Sequence, residues 1–452
     1  MQGLEDDFPG ASWLPVLCQN PSTEPPLWRD WSKPEPEPKR SPRLARSPIP
    51  VLLTSLLATA TVLGLRHLGA LQPLELQAFD QVLRLRPAES PDQRLLIITI
   101  TEDDLKLPEQ TDRKGSLSDS ALTIVLQKLI PLNPRAIGLD VYHDFPFNST
   151  SAPLDKLLNN QSNFFAICKV NDPEGNYAEI GPFPNFSSDY QGFSDVVTDD
   201  DSVLRRHLVS MDRLPGAACN TPYALSTQLA LHYLKAEGIT QGYGSRGTLY
   251  LGPHRFPRLQ NHTGGYQRAD TAGYQILLNY RFTQSSLSPS PTISLKEVLA
   301  GRIKAEDVRD RIILIGVVAP SSKDALATPY AQKIPGVFLQ AQMVSQLLSA
   351  VQDGRRPIEA WAWPLDILWI WGWATVGGLL VWYCRSLPYR LGLELLALGT
   401  LGAICFYGSL HSQWIPLVPS VFGFIVTSGA VALILTHQDP NQTPKLGIDH
   451  AI

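Results

Sequence analysis

Five carboxylates and two arginines in the central part of the chain are spaced so that they could hold a ligand. Asp140 closes the apolar run AIGLD, and Asp324 follows the run ILIGVVAPSSK closely. Ligands of open α/β sheets settle outside the carboxyl ends of the strands, so these two acids are expected to line one crevice. Asp199, Asp200 and Asp201 precede Arg205 and Arg206. Such a group could coordinate a hard cation or recognise a small polar ligand. A solvated turn with surface ion pairs is the preferred alternative, because acidic turns followed by a strand are common. Thr328, Pro329 and Tyr330, followed by Pro335 and Gly336, form a third group. They shape a loop before a helix N-terminus that can receive an anion, and turn chemistry that merely starts the helix explains them equally well. The candidate ligand-binding residues are therefore Asp140, Asp199, Asp201, Arg205, Asp324, Thr328 and Tyr330.

Other chemistries find less support. No nucleophile elbow or paired-carboxylate signature singles out a catalytic group, so an enzyme is not expected. No CxxC, HExxH or Cys/His cluster occurs, and neither a metal nor another cofactor is expected. The net charge of -4, without a long Lys/Arg run, argues against a nucleic-acid partner. Cys168 and Cys219 could pair in an oxidising compartment, but both sit in apolar stretches where a buried free thiol is common, and the unpaired state is slightly favoured.

Positioning the candidate residues requires a folded body, and apolar length marks its limits. IPVLLTSLLATATVLGL, from Ile49 to Leu65, is uncharged and suits a transmembrane helix over 49–70. Lys39, Arg40, Arg43 and Arg46 before it place the N-terminus in the cytoplasm. Three further blocks predict transmembrane helices over 361–383, 391–408 and 414–436. Arg385 and Arg390 mark the first connection as cytoplasmic, which puts HSQWIP outside and both termini inside. Trp361 and Trp363 suit an interfacial belt. Asp366 and Glu394, ionisable residues within these blocks, are expected to snorkel to the interface. Residues 1–48 are Pro-rich and charged, a composition for a disordered cytoplasmic tail, and 437–452 form a second short tail.

The body, 71–360, alternates strand-like and helix-like segments. RLLIITI, RAIGLDV, NFFAICKV, VLRRHLVSMD, ILLNYRF and RIILIGVV read as strands. SLSDSALTIVLQKLI, Thr221 to Ala236 and Pro335 to Val351 read as helices. The fold class is an α/β mixed-sheet extracytoplasmic domain, partly parallel, plus four transmembrane α-helices, one N-terminal and three C-terminal.

The ordered series FDQVLRLRP, LLIITITEDDL, PRAIGLDVYHD, GFSDVVTDDDSVLRR, LALHYL, LLNYR, RIILIGVVAPSSKDALATPY and PGVFLQAQMVSQLLSA resembles the type-2 CHASE domain, an extracytoplasmic sensory module of bacterial receptors. The resemblance implies one helix before the sensor and three after it, a location in the bacterial plasma membrane, and reception of a signal outside it. Output normally lies in a cytoplasmic kinase or cyclase domain. None follows the last helix here, so a separate kinase or cyclase partner is the expectation, with a homodimer also compatible and the lipid membrane as a constant partner. A non-signalling scaffold that uses the sensor fold for interaction is the alternative. Two positions depart from the family pattern: Ser202 where Gly is frequent, and Gln340 where His is frequent.

Overall fold

The computed structural model describes residues 47–146, 152–159, 161–170, 178–183, 186–213, 216–283 and 288–438. Cys18 and nearly all of the expected N- and C-terminal tails lie outside these residues.

The chain enters through α1 (Ile49–His67), which has a proline in its first turn, and continues after a short turn into α2 (Gln72–Arg84). The body then runs β1 (Leu95–Ile100), α3 (Asp119–Leu129), β2 (Ala136–Asp140), α4 (Ala152–Asn159), β3 (Phe164–Cys168) and β4 (Gln191–Phe193). Ser118 caps α3 by accepting the Ala121 N–H, as Ser before an apolar helical run should. Next come β5 (Arg206–Ser210), α5 (Leu225–Lys235), β6 (Gln241–Tyr243), β7 (Leu249–Leu251), β8 (His254–Phe256) and β9 (Tyr274–Leu277). The body closes with β10 (Thr292–Ser294), α6 (Leu295–Leu299), α7 (Ala305–Val308), β11 (Ile312–Val317), β12 (Ala325–Ala327), β13 (Lys333–Pro335) and α8 (Gly336–Gln352). After β14 (Glu359–Ala360) follow α9 (Trp363–Tyr383), α10 (Leu387–Leu410), β15 (Gln413–Trp414) and α11 (Leu417–Gln438).

The expected mixed α/β body is present, with its parallel strands gathered in one sheet. Six strands run in the order β10-β1-β11-β2-β3-β4, and every neighbouring pair is parallel. The antiparallel pairs stand apart in small sheets: β5-β9, β6-β7-β8 and β12-β13. Both faces of the central strands are buried, which is why β1 and β11 read as unbroken apolar runs. Period-2 alternation sends Leu95, Ile97, Ile312 and Leu314 to the face covered by α5 and α8. Leu96, Ile98, Ile313 and Ile315 meet α3, α4 and α6 on the other. Gly316 lets α8 lie close on β11, since a Cβ there would come within 2.5 Å of the Val337 side chain.

Among the described residues four helices are long and apolar enough to cross a membrane, α1, α9, α10 and α11. The boundaries differ from expectation by a few residues, and two of the shifts have a local cause. α10 starts at Leu387, so Arg390 sits in its first turn rather than in the connecting loop, because Pro388 serves as a helix starter there. α11 starts at Leu417, because Gln413 and Trp414 instead pair in parallel with Glu359 and Ala360. Trp363 is exposed at the start of α9, as a belt residue would be. Trp361, Trp369 and Trp373 pack edge to face, and Trp371 donates its indole N–H to Ser55 of α1.

Candidate functional site

Adjacent strands β2 and β11 send their chains to opposite faces of the sheet. β2 leads into α4 on one face, and β11 leads through the β12-β13 hairpin into α8 on the other. Such a divergence opens a crevice at the carboxyl end of the sheet. Asp140, the last residue of β2, stands there half-buried, and its carboxylate has no hydrogen bond or ion pair among the described residues. Burial, reinforced by the charge of Asp324, pushes its carboxyl up to about 8. Asp324 lies against Gly336, whose neighbour Val337 packs on Gly316, the β11 partner of Asp140, so the two acids come near each other. Burial raises the Asp324 carboxyl as well, while the Gly336 N–H and Lys169 pull the other way. Beside the two acids, the Tyr142 hydroxyl meets the Ser194 hydroxyl at 2.6 Å, and Asp140 and Asp324 help raise the Tyr142 phenol.

The anion site expected before α8 is filled from within. The Asp324 carboxylate lies over Gly336, so close that a Cβ there would fall 2.6 Å from its Oδ2. The protein's own acid therefore takes the favourable place at the helix start. Thr328 and Tyr330 lie away from that start, in the turn between β12 and β13. The Thr328 hydroxyl donates to the Gln332 carbonyl at 3.0 Å, and the Tyr330 ring stacks on Phe282. Arg84 of α2 donates to the Pro329 carbonyl. These residues shape the hairpin and do not join Asp140 in its crevice.

The acidic run before Arg205 is in part the expected exposed turn with ion pairs, at Asp200 and Asp201, but Asp199 is buried. Arg205 is 1 % exposed, the largest fully buried side chain among the described residues. Its guanidinium donates to both oxygens of Asp80 at 2.8 Å, to Asp199 at 2.7 Å and to Asp201 at 2.7 and 2.9 Å. Arg206 donates to the other oxygen of Asp199 at 2.8 Å, and the Tyr266 hydroxyl donates to Asp199 as well. Bonds to Arg205 draw the Asp201 carboxyl down. Burial raises the Asp80 carboxyl against the pull of the same arginine. Each oxygen of these three carboxylates already accepts from a guanidinium group, so none is left free to ligate a metal ion. Ser202, in the turn, has φ +62°, the left-handed region where Gly is the unstrained choice. Its departure from the family pattern is therefore a backbone matter. Gln340 is buried in α8 with its Oε1 unpartnered among the described residues.

A second buried ion cluster, missed in the sequence, joins body and membrane helices. Arg66, in the last turn of α1, donates to both oxygens of Glu75 in α2, at 3.0 and 3.1 Å. It also donates to Asp366 in α9 at 2.8 Å and to the Gly264 carbonyl of the body at 2.6 Å. Asp366 is 4 % exposed, so it is paired inside the protein and does not snorkel to the interface. Glu394 lies 3.7 Å from Arg390 one turn earlier, a partly exposed pair. Trp414, from the connection between α10 and α11, inserts against Phe79 of α2 and Tyr266 of the body. Gly264, at φ +58°, leaves room for that indole, which a Cβ would meet at 2.5 Å. Hydrophobic spacing alone could have revealed α2, whose buried Glu75, Leu76, Phe79, Asp80 and Leu83 share one helical face.

The thiols also depart from expectation. Cys168 at the end of β3 and Cys219 form a disulfide, their Cα atoms 5.4 Å apart. The apolar setting that suggested a free thiol is the cluster of Val170, Phe193, Leu208 and Ala224 packed around the bond.

Neither the curated proteins nor the solved structures yield a match to this chain. The family model of the CHASE2 domain, in contrast, matches residues 57–379, a range that takes in most of α1, the whole body and most of α9. With the whole parallel sheet and most of two of the four apolar helices inside that range, the chain belongs to the CHASE2 family of sensory extracytoplasmic domains.

Proposed function

We propose that this protein is a membrane-anchored sensor. Its body faces the extracytoplasmic side of a bacterial plasma membrane, both termini lie in the cytoplasm, and a small polar ligand binds in the crevice of Asp140 and Asp324. The observation that carries this reading is the Asp140 carboxyl itself, held at a topological switch point without a hydrogen bond and pushed up to about 8. A ligand that brings a cationic amine or hydroxyl donors would supply the partner this group lacks.

Contacts between the hairpin, α2 and the membrane helices support a route for the signal. Asp324 opens the β12-β13 hairpin, and Ala327 of that hairpin accepts the Leu204 N–H at 2.9 Å. The next residue, Arg205, grips Asp80 of α2. One and a half turns earlier on the same helix, Glu75 grips Arg66, which also holds Asp366. α2 therefore acts as a lever between the sensor and the membrane base. The message passes to a separate cytoplasmic kinase or cyclase, and the protein acts by binding, without catalysing a reaction.

Calorimetry of the full chain in detergent, titrated with pooled periplasmic amines, amino acids and sugars, tests this. Heat that vanishes in Asp140→Ala supports the crevice; heat that Asp140→Ala and Asp324→Ala both leave unchanged removes it. The saturated Asp199–Arg205 cluster favours one rival, a scaffold that keeps the fold for assembly. Affinity capture from membranes decides between them, since a recovered kinase or cyclase supports sensing and envelope components alone support assembly.

A further inference from the structure

The seam between the body and the membrane helices holds a cavity of about 510 Å³, separate from Asp140 and Asp324. Its walls come from the last turn of α1, from the segment 255–267 and from the start of α9. It adjoins a smaller cavity of about 340 Å³, with which it shares Arg255 and Arg258. The larger cavity opens where α1 and α9 emerge from their apolar lengths, at the level of a membrane surface, and the smaller continues from it into the body.

Where the two cavities adjoin, Arg246, Arg255 and Arg258 face one acid, Glu359. The Arg258 guanidinium donates to the Thr271 and Gly273 carbonyls and has no carboxylate partner among the described residues. Arg255 is exposed, and its nearest acid, Glu359, stands 3.9 Å away. Arg246 lines the adjoining cavity. His67 of α1 and His262 of the body stack across the seam, their ring centroids 5.4 Å apart. Two acids also line the wall: Glu359 beside Arg255, and Asp366, which shares Arg66 with Glu75 and whose Oδ1 is buried away from the cavity. The groove thus offers guanidinium groups for an anion.

The remaining walls are apolar. Leu63, Trp361 and Trp363 line the cavity, and α1 continues away from it with Leu53, Leu56 and Leu57 exposed. Soluble phosphate would leave that apolar wall empty, whereas an acyl chain would cover it.

We infer that this groove binds one anionic membrane phospholipid through its phosphate diester. The phosphate sits on Arg255 and Arg258, and the acyl chains lie along α1. A lipid so placed touches α1, α9 and the body at once.

The test uses the full chain, released from nanodiscs containing phosphatidylglycerol or only phosphatidylcholine and examined by native mass spectrometry. Wild-type protein is expected to retain one phosphatidylglycerol per chain and to retain phosphatidylcholine about tenfold less. Arg255→Gln/Arg258→Gln is expected to lower phosphatidylglycerol retention by about tenfold. Because Arg258 also braces backbone carbonyls, Arg255→Glu, at an exposed side chain, is the second variant, and an unchanged thermal midpoint verifies its fold. Equal retention of the two lipids, or undiminished retention in Arg255→Glu, overturns the inference. So does displacement of the lipid by millimolar inorganic phosphate, which would assign the groove to a soluble anion.

Discussion

Asp140→Asn offers the sharpest test of the crevice. The side chain keeps its size and loses its charge. Burial holds the Asp140 carboxyl up to about 8, whereas in the unfolded chain it titrates near the usual value of about 3.9. A carboxyl raised in the folded state contributes stability that is fully present below the unfolded value and is lost as pH rises through the folded one. Wild-type protein therefore loses stability across the window from about pH 4 to about pH 8, at up to about 1.4 kcal/mol per pH unit. The full displacement caps the loss at about 6 kcal/mol. Water reaches the half-buried group and screens it, which brings the expected loss to about 2 kcal/mol. The neutral amide has no such slope. The assay is thermal unfolding of the full chain in nanodiscs at a series of pH values, read as the variant midpoint minus that of wild type, so that groups common to both cancel. The difference is expected to grow by about 4 °C from pH 4 to pH 9, in favour of Asn. A difference that stays flat with pH would refute the assignment of a strained carboxyl to this position, and one that grows toward low pH would reverse its sign.

Three other perturbations follow from the same contacts. Arg66→Ala leaves the buried Glu75 and Asp366 without their cation and is expected to destabilise by about 3–5 kcal/mol, seen in the thermal midpoint. Arg66→Lys restores only part of it, because an ammonium cannot grip both oxygens of Glu75. Removing the disulfide by Cys168→Ser/Cys219→Ser opens a loop with a sequence separation of 51. By loop-closure entropy this is expected to cost about 4 kcal/mol, and reductant should shift the wild-type midpoint alone. Ser202→Gly is expected to change stability by less than about 0.5 kcal/mol, since relief of the left-handed backbone offsets the greater freedom of the unfolded chain. Ser202→Val at the same φ is expected to lose about 1–3 kcal/mol in a denaturant titration.

What was legible in the sequence was local. β1, β2, β3 and β11 were readable because strands buried on both faces must be apolar throughout. The four apolar helices were readable from length alone. Asp140 was readable as the last residue of β2 because a strand's carboxyl end is a position in the sequence as well as in space. Thr328 and Tyr330 were misplaced for the converse reason. They precede α8 in the chain, but the turn between β12 and β13 carries them away from its start, and only the pairing of Ala325 with Pro335 reveals that.

The ion clusters show where local reading fails. Arg205 meets Asp80 across 125 positions and Arg66 meets Asp366 across 300, so no window along the chain contains both partners. Read singly, Asp366 resembles an acid seeking water and Asp199 an acid in a turn. Paired, each becomes a buried joint, where a missing partner would cost several kcal/mol. Both clusters meet on α2, whose two acids, Glu75 and Asp80, lie on the face that also buries Leu76, Phe79 and Leu83. An acid on the buried face of a helix needs a cation from elsewhere in the fold. Here one cation comes from the membrane helix before α2 and the other from the sensor body after it. A helix held in this way cannot shift against one without straining the other, which makes α2 the element most suited to carry a change in the crevice to the membrane.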